Sequence, residues 1–399
     1  MKKTRCALTA AFMAVMILLM GITTSGAILP ESNIAISNYT SSKDFLVKNM
    51  DEIFEHILNG GANFSKLAID FGSSKISNSF RIYDVDNVDD YEDVEYFPVI
   101  KNNSEVIAVL AVHNSGNGYS CIVNTSLGEI VDELSNKDAL LVRKGMNLYS
   151  YDSNTIQTLV ENDSDLTISL NEIPTEVVSN YCSVADAVQL DNSYIDCSKY
   201  AIASKSTRSD SGSLSNYSVV GQGSYSICWA ACIASMYNYL NGYTYSATSL
   251  IDSYPDKNLY IYEYSGSSTP PATVYYRAAT YSNIRQHIFR YYFSNALSYL
   301  NAVTISTIKN TIDSGEPLYI SSEASSETDY DDEYYHAVVV YGYSLSNSTY
   351  SIYIMDPYSN SGSGGYVVGI YENSAPAYYS LGGTGRTMYF RRALAPNEN

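Results

Sequence analysis

The sequence predicts an α+β protein in which a small mixed unit precedes a helical stretch and then a long β stretch. Three observations carry this reading. Residues 44–59 set Phe45, Leu46, Met50, Ile53, Phe54, Ile57 and Leu58 at mixed i+3 and i+4 spacing, as an amphipathic helix requires. Residues 227–240 show a second helical pattern, closed by Asn241-Gly242. From Pro317 onwards the apolar runs are short, rich in valine, isoleucine and tyrosine, and separated by turn residues, as strands require.

The chain begins with Lys2, Lys3 and Arg5, then an apolar run from Ala7 to Ile22, then Thr23-Thr24-Ser25-Gly26-Ala27. A basic start, an apolar centre and a small-residue end are the three parts of a secretory signal peptide. Residues 1–27 are therefore read as a removed signal, with cleavage after Ala27, and the product as secreted and extracellular. No later stretch is apolar enough to span a membrane.

Residues 28–203 read as a small α+β unit. The helix at 44–59 stops at Gly60-Gly61, and an acidic loop runs from Asp84 to Glu95. Strand-like runs follow at 96–101, 104–113 and 118–124, then a helical run from Ser126 to Asn136, then strands at 139–144 and 146–151. Residues 152–200 have no clear periodicity. Residues 204–214 form a linker, of which Ser204 to Ser213 is small, polar and without apolar side chains, the composition of an exposed and cleavable segment. Residues 215–399 hold the second unit. Its helices are expected at 227–240 and 303–313, where Ile305, Ile308 and Ile312 share a face before Gly315. Its strands are expected at 317–321, 336–343, 350–355, 365–371 and 387–391.

Composition excludes several partners. The chain of 399 residues has 42 acidic against 23 basic side chains, a formal net charge of −19. Such a surface repels nucleic acid and anionic membranes. Tyrosine is abundant at 40 residues and suits half-buried sheet and cleft positions. Of six cysteines, Cys6 leaves with the signal peptide. The odd set Cys121, Cys182, Cys197, Cys228 and Cys232 points to a free thiol. Their spacing is no zinc pattern, so neither metal nor cofactor is expected.

The chemistry-bearing residues lie in the second unit. A thiol nucleophile must be a thiolate, and a helix N-terminus favours that charge. Cys228 stands at such a start, with Ser224 and Ser226 in reach as caps. A histidine must take and return the proton. Of His56, His113, His287 and His336, the last opens a strand, where its ring is held rigidly. Asp356 ends the next strand, so antiparallel pairing brings it beside His336 to orient the imidazole. An oxyanion needs N–H donors, for which the Cys228 backbone and the Gln222 side-chain amide are candidates. Cys232, one turn along, and Trp229 are read as core, and Asp329, Asp331, Asp332 and Glu333 as a solvated loop.

The order Gln222-Gly223, Cys228-Trp229, His336, Asp356-Pro357-Tyr358 resembles the papain-fold cysteine peptidases, among them the bacterial secreted group that includes staphopain and the C39-like and C47-like peptidases. The resemblance covers about residues 215 to 395. It implies a papain-like catalytic domain, with a nucleophile helix in a helical half packed on an antiparallel β half, preceded by a small α+β pro-domain. By the same resemblance Cys228 is the nucleophile, His336 the acid/base, Asp356 its orienter and Gln222 the oxyanion donor, with Tyr358 shielding the histidine–aspartate bond. Two departures stand out. Tyr225 occupies the place of a disulfide-forming cysteine of plant papain, and Asp356 that of its asparagine. An aspartate holds an imidazolium more strongly. The implied product is a monomeric secreted endopeptidase made as a zymogen. It acts on peptide or protein substrates, and its N-terminal region serves as an intramolecular inhibitor. A peptidoglycan hydrolase or transglutaminase-like acyl transferase of the same fold is the enzymatic alternative. A non-catalytic, tyrosine-rich secreted binding protein is the other.

Overall fold

The computed structural model describes residues 39–60, 62–86, 94–102, 104–114, 118–152, 155–161, 167–174, 181–190, 193–201, 210–223, 225–255, 279, 281–294, 296–300, 303–324, 335–346, 349–358, 364–372, 378–380 and 383–396. The expected signal peptide, most of the expected linker and the acidic run at 329–333 lie outside the described residues.

The chain opens with helix α1 (Ser42–Asn59). The Ser41 hydroxyl accepts the Asp44 N–H at its start, and the Gly60 N–H donates to the Ile57 carbonyl at its end. Its predicted stripe is the buried one: Phe45, Leu46, Met50, Ile53, Phe54 and Ile57 all face the core. A second helix, α2 (Ala62–Phe71), follows the Gly60-Gly61 stop. Phe64, Leu67, Ala68 and Phe71 recur at i, i+3, i+4 and i+7, a helical period, and Phe64, Ala68 and Phe71 are buried against the core.

Then come β1 (Ser74–Ile76), β2 (Tyr83–Asp84), β3 (Val94–Lys101), β4 (Glu105–Asn114), β5 (Tyr119–Asn124), α3 (Thr125–Glu133), β6 (Leu140–Lys144), β7 (Asn147–Asp152), β8 (Thr155–Val160) and β9 (Ile195–Asp196). The second half holds β10 (Asp210–Ser213), α4 (Cys228–Asn241), α5 (Ala247–Ser253), a π-helical turn at Ile284–Ile288 leading into a short helix, β11 (Ala296–Leu300), α6 (Ile305–Asp313), β12 (Leu318–Glu323), β13 (Tyr335–Leu345), β14 (Thr349–Asp356), β15 (Gly365–Glu372), β16 (Tyr378–Ser380) and β17 (Thr387–Pro396). This is an α+β architecture, with a large antiparallel sheet and helices against it.

The two expected units share one sheet. A 13-stranded sheet runs β11-β17-β12-β13-β14-β15-β5-β4-β3-β1-β9, with β10 on β13 and β16 on β17. The junction is the β15–β5 pair, antiparallel from Val367↔Asn124 to Tyr371↔Ser120. β14 is buried along its whole length, as a central strand covered on both faces must be. A separate 4-stranded sheet, β2-β6-β7-β8, has its own small core of Tyr83, Val142, Tyr149 and Ile173.

The end of the expected linker is structured. Residues 210–213 are a strand paired with Gly342–Leu345, not an open tether. The pairing runs on into Leu214, whose N–H donates to the Tyr341 carbonyl at 2.9 Å and whose side chain is buried in the core. Lys309 bridges Asp210 and Asp313, and the Tyr343 hydroxyl joins them. Among the described residues no helix is long and apolar enough to cross a membrane.

Candidate active site

α4 begins at Cys228 and packs on β13. Its first two turns, from Trp229 to Met236, are buried, and it ends at Gly242, whose φ of 70° is the left-handed turn that glycine adopts at little cost. The N-cap is not one of the expected serines. Ile227 is the N-cap and offers no side-chain bond, Ser226 is exposed, and Ser224 lies outside the described residues. With Ile227 at the N-cap, the first-turn N–H groups receive no bond from the N-cap side chain and are open to other acceptors.

One of those acceptors is the Cys228 sulfur. The thiol is partly exposed while its neighbours Ile227 and Trp229 are buried. Burial pushes a thiol up, and that is the largest influence on Cys228. It is outweighed by the charge and hydrogen bond of His336 and by the backbone N–H groups of Ala337 and Trp229. The net result lies below the ordinary thiol value.

His336 sits in the second position of β13 and is buried. β13 and β14 pair with Val339↔Met355. Continuing that register sets Asp356 across from Val338, so Asp356 and His336 lie diagonally on one face. Their side chains meet there, Nε2 donating to Asp356 Oδ1 at 2.8 Å. With Nε2 so engaged, Nδ1 is the nitrogen left for the thiol. Burial disfavours the imidazolium most strongly. The Asp356 and Cys228 charges and their hydrogen bonds overcome it and raise the ring to about 10. Thiolate and imidazolium thus stabilise each other.

Asp356 is itself fixed, since its Oδ1 also accepts the Tyr358 N–H at 2.9 Å. Tyr358 is buried beside it in sequence. Gln222 is buried, its backbone N–H donating to the Pro357 carbonyl at 2.9 Å. That bond ties the Gln222 loop to the end of β14. The Gln222 amide donates one hydrogen to the Tyr225 carbonyl at 2.8 Å. Its second N–H remains for another acceptor.

The structure thus brings Cys228, His336 and Asp356 into one line and ties Gln222 beside them by its backbone. His287 is exposed on the π-helical turn, and His56 and His113 are buried in the N-terminal half. Cys232 is buried, with its thiol pushed well above the ordinary value by burial. The described cysteines all carry free thiols. Among the described residues no cluster of side chains is arranged to hold a metal ion.

Two contributors were not visible in the sequence. The buried Ser322 hydroxyl donates to the His336 carbonyl at 2.8 Å and pins the strand that carries the ring. Its place follows from the Ser322↔His336 register, which no local pattern encodes. The Ala337 N–H reaches the sulfur for the same reason, being a backbone group set by the packing of α4 on β13.

Residues 214–385 match the model of the Peptidase C39 like family. The match supports a C39-like cysteine-peptidase fold for this part of the chain and a function of the cysteine-peptidase type. No curated protein matches the chain.

Proposed function

We propose that the protein is a secreted cysteine endopeptidase that hydrolyses peptide bonds through Cys228, His336 and Asp356, with Gln222 as oxyanion donor. The observation that carries this reading is the buried imidazole held between a carboxylate and the thiol of partly exposed Cys228 at a helix start. In the first step the Cys228 thiolate attacks the peptide carbonyl carbon and a C–S bond forms. The resulting oxyanion is met by N–H donors, the Cys228 backbone and the free Gln222 amide hydrogen. As the tetrahedral species collapses, the C–N bond breaks and the His336 imidazolium gives its proton to the departing amine. A thioester remains. Neutral His336 then takes a proton from water, the hydroxide attacks the thioester, and the C–S bond breaks to restore the thiolate. Asp356 accepts no proton; it keeps Nε2 hydrogen-bonded and favours the imidazolium.

The test compares the chain with its Cys228→Ala variant. Iodoacetamide should alkylate Cys228 at pH 6, where an ordinary thiol is nearly inert, and the wild type alone should cut casein. Rapid alkylation without casein cleavage, but with release of fragments from purified peptidoglycan, would favour the wall-hydrolase alternative. Absence of alkylation would favour the binding protein.

A further inference from the structure

The N-terminal half is joined to the catalytic half as a strand neighbour, and four groups of contacts define the join. The first is the β5–β15 ladder. It supplies the second partner of β15, whose residues Val368, Ile370 and Tyr371 are fully buried. Without β5 that strand becomes a long apolar edge, a template for aggregation. The second group is on α1. The Thr349 hydroxyl donates to Glu52 and accepts from His56 Nε2 at 2.8 Å, and the Tyr353 hydroxyl donates to the His56 carbonyl at 2.8 Å. The third is Phe64 of α2, whose ring lies 6.1 Å from those of both Tyr353 and Tyr366.

The fourth contact is at the end of the sheet where His336 stands. Residues 384–386 lead into β17 there, since Glu323 pairs with both Tyr335 and Tyr389. The Tyr96 hydroxyl donates to the Gly385 carbonyl at 2.8 Å. Arg386 is buried in the N-terminal half, donating to the Gly145 carbonyl at 2.7 Å and lying 3.7 Å from the Asp84 carboxylate. Withdrawing this cation would strip a buried charge of its partners. One continuous hydrophobic core runs through both halves.

We infer that residues 39–201 remain bound after the chain is cut between them and β10, as the second, non-covalent chain of a two-chain enzyme whose catalytic sheet is complete only with them. On this inference the N-terminal region, which the family resemblance implies to be an intramolecular inhibitor, is also a lasting structural partner. The inference rests on the peptidase reading only in supposing that the chain is processed at all; the docking itself is independent of activity.

The experiment uses the full secreted chain with a site-specific protease sequence inserted after Lys205. The folded protein is nicked and passed through gel filtration at about 1 µM, where a complex weaker than micromolar would come apart. Both fragments should co-elute as one species of the uncut size. Backbone amides of Val367–Tyr371 should keep their slow hydrogen exchange. Arg386→Met, which leaves Asp84 its ion pair with Arg143, should increase the fraction of separated fragments. Separation of the nicked wild-type fragments, whether the catalytic fragment stays soluble or precipitates, overturns the inference, as does fast exchange along β15. Iodoacetamide labelling of Cys228 in the same samples keeps the two readings apart. An unreactive thiol in a co-eluting complex sinks the peptidase reading alone, and a reactive thiol in a separated fragment sinks the docking alone.

Discussion

At the scale of single residues, burial opposes charge at both Cys228 and His336, yet each favours the charged form of the other. Asp356 decides the outcome because it adds a full negative charge at 2.8 Å from Nε2. This gives the Asp356→Asn variant a defined phenotype. The amide still accepts from Nε2, so the ring keeps its orientation, but the charge that raises His336 towards about 10 is lost. Burial then dominates, and the imidazolium gives up its proton at a lower pH. The alkaline limb of kcat/KM should move down by about one pH unit or more. An alkaline limb that stays in place would show that Asp356 acts by geometry and not by charge. Each of these residues stands out in the sequence by type and position. Ser322 does not, because a serine in a strand is ordinary until the register sets it opposite His336.

At the scale of elements, α1 is anchored by a histidine that must stay neutral. Burial holds His56 down at about 4, with Glu52 opposing this more weakly. The hydrogen-bond network fixes the reason. Thr349 donates its hydroxyl to Glu52 and so accepts from Nε2, which leaves Nδ1 bare and enclosed. A proton on Nδ1 would meet no acceptor. The unfolded chain binds this proton near 6.5 and the folded one only near 4, so the stabilisation is complete above pH 6.5 and lost as pH falls towards 4. The loss attributable to His56 should reach roughly 3 kcal/mol. Urea midpoints at pH 7 and pH 4.5 should therefore differ less in His56→Gln than in the wild type. Equal acid sensitivity in the two proteins would assign the effect elsewhere. The amphipathic spacing in the sequence foretold α1, but not what its buried histidine touches, since Thr349 is 293 residues away.

At the scale of the whole molecule, the continuous sheet and core predict one cooperative unfolding unit. The single tryptophan, Trp229, is buried in the first turn of α4 and reports on the C-terminal half. Gly128 lies in α3 of the other half, where an added Cβ would meet the Ala108 backbone of β4 at 2.7 Å. Gly128→Ala should push α3 off the sheet and cost about 1–3 kcal/mol. If the halves unfold together, Trp229 fluorescence and far-ultraviolet circular dichroism should shift by the same amount in this variant. A tryptophan transition that ignores Gly128→Ala would mean two independent domains. The sequence suggested such a division, because a composition shift and a polar segment separate two patterned stretches. It did not reveal the β5–β15 pairing, because strand alternation specifies which face is buried and not which strand lies alongside.

The division between sequence and tertiary structure follows from the range of the forces involved. Local pattern by itself determined where most strands and the main helices lie. It also singled out Cys228, His336, Asp356 and Gln222, since helix starts, strand ends and residue chemistry are written within a few positions. Only the tertiary structure decided that Ile227, not a serine, precedes α4, and that Asp210–Ser213 pairs with β13. It alone also decided that β5 completes the sheet of the C-terminal half at β15. These features depend on register and burial between segments far apart in the chain, where a short-range pattern carries no information.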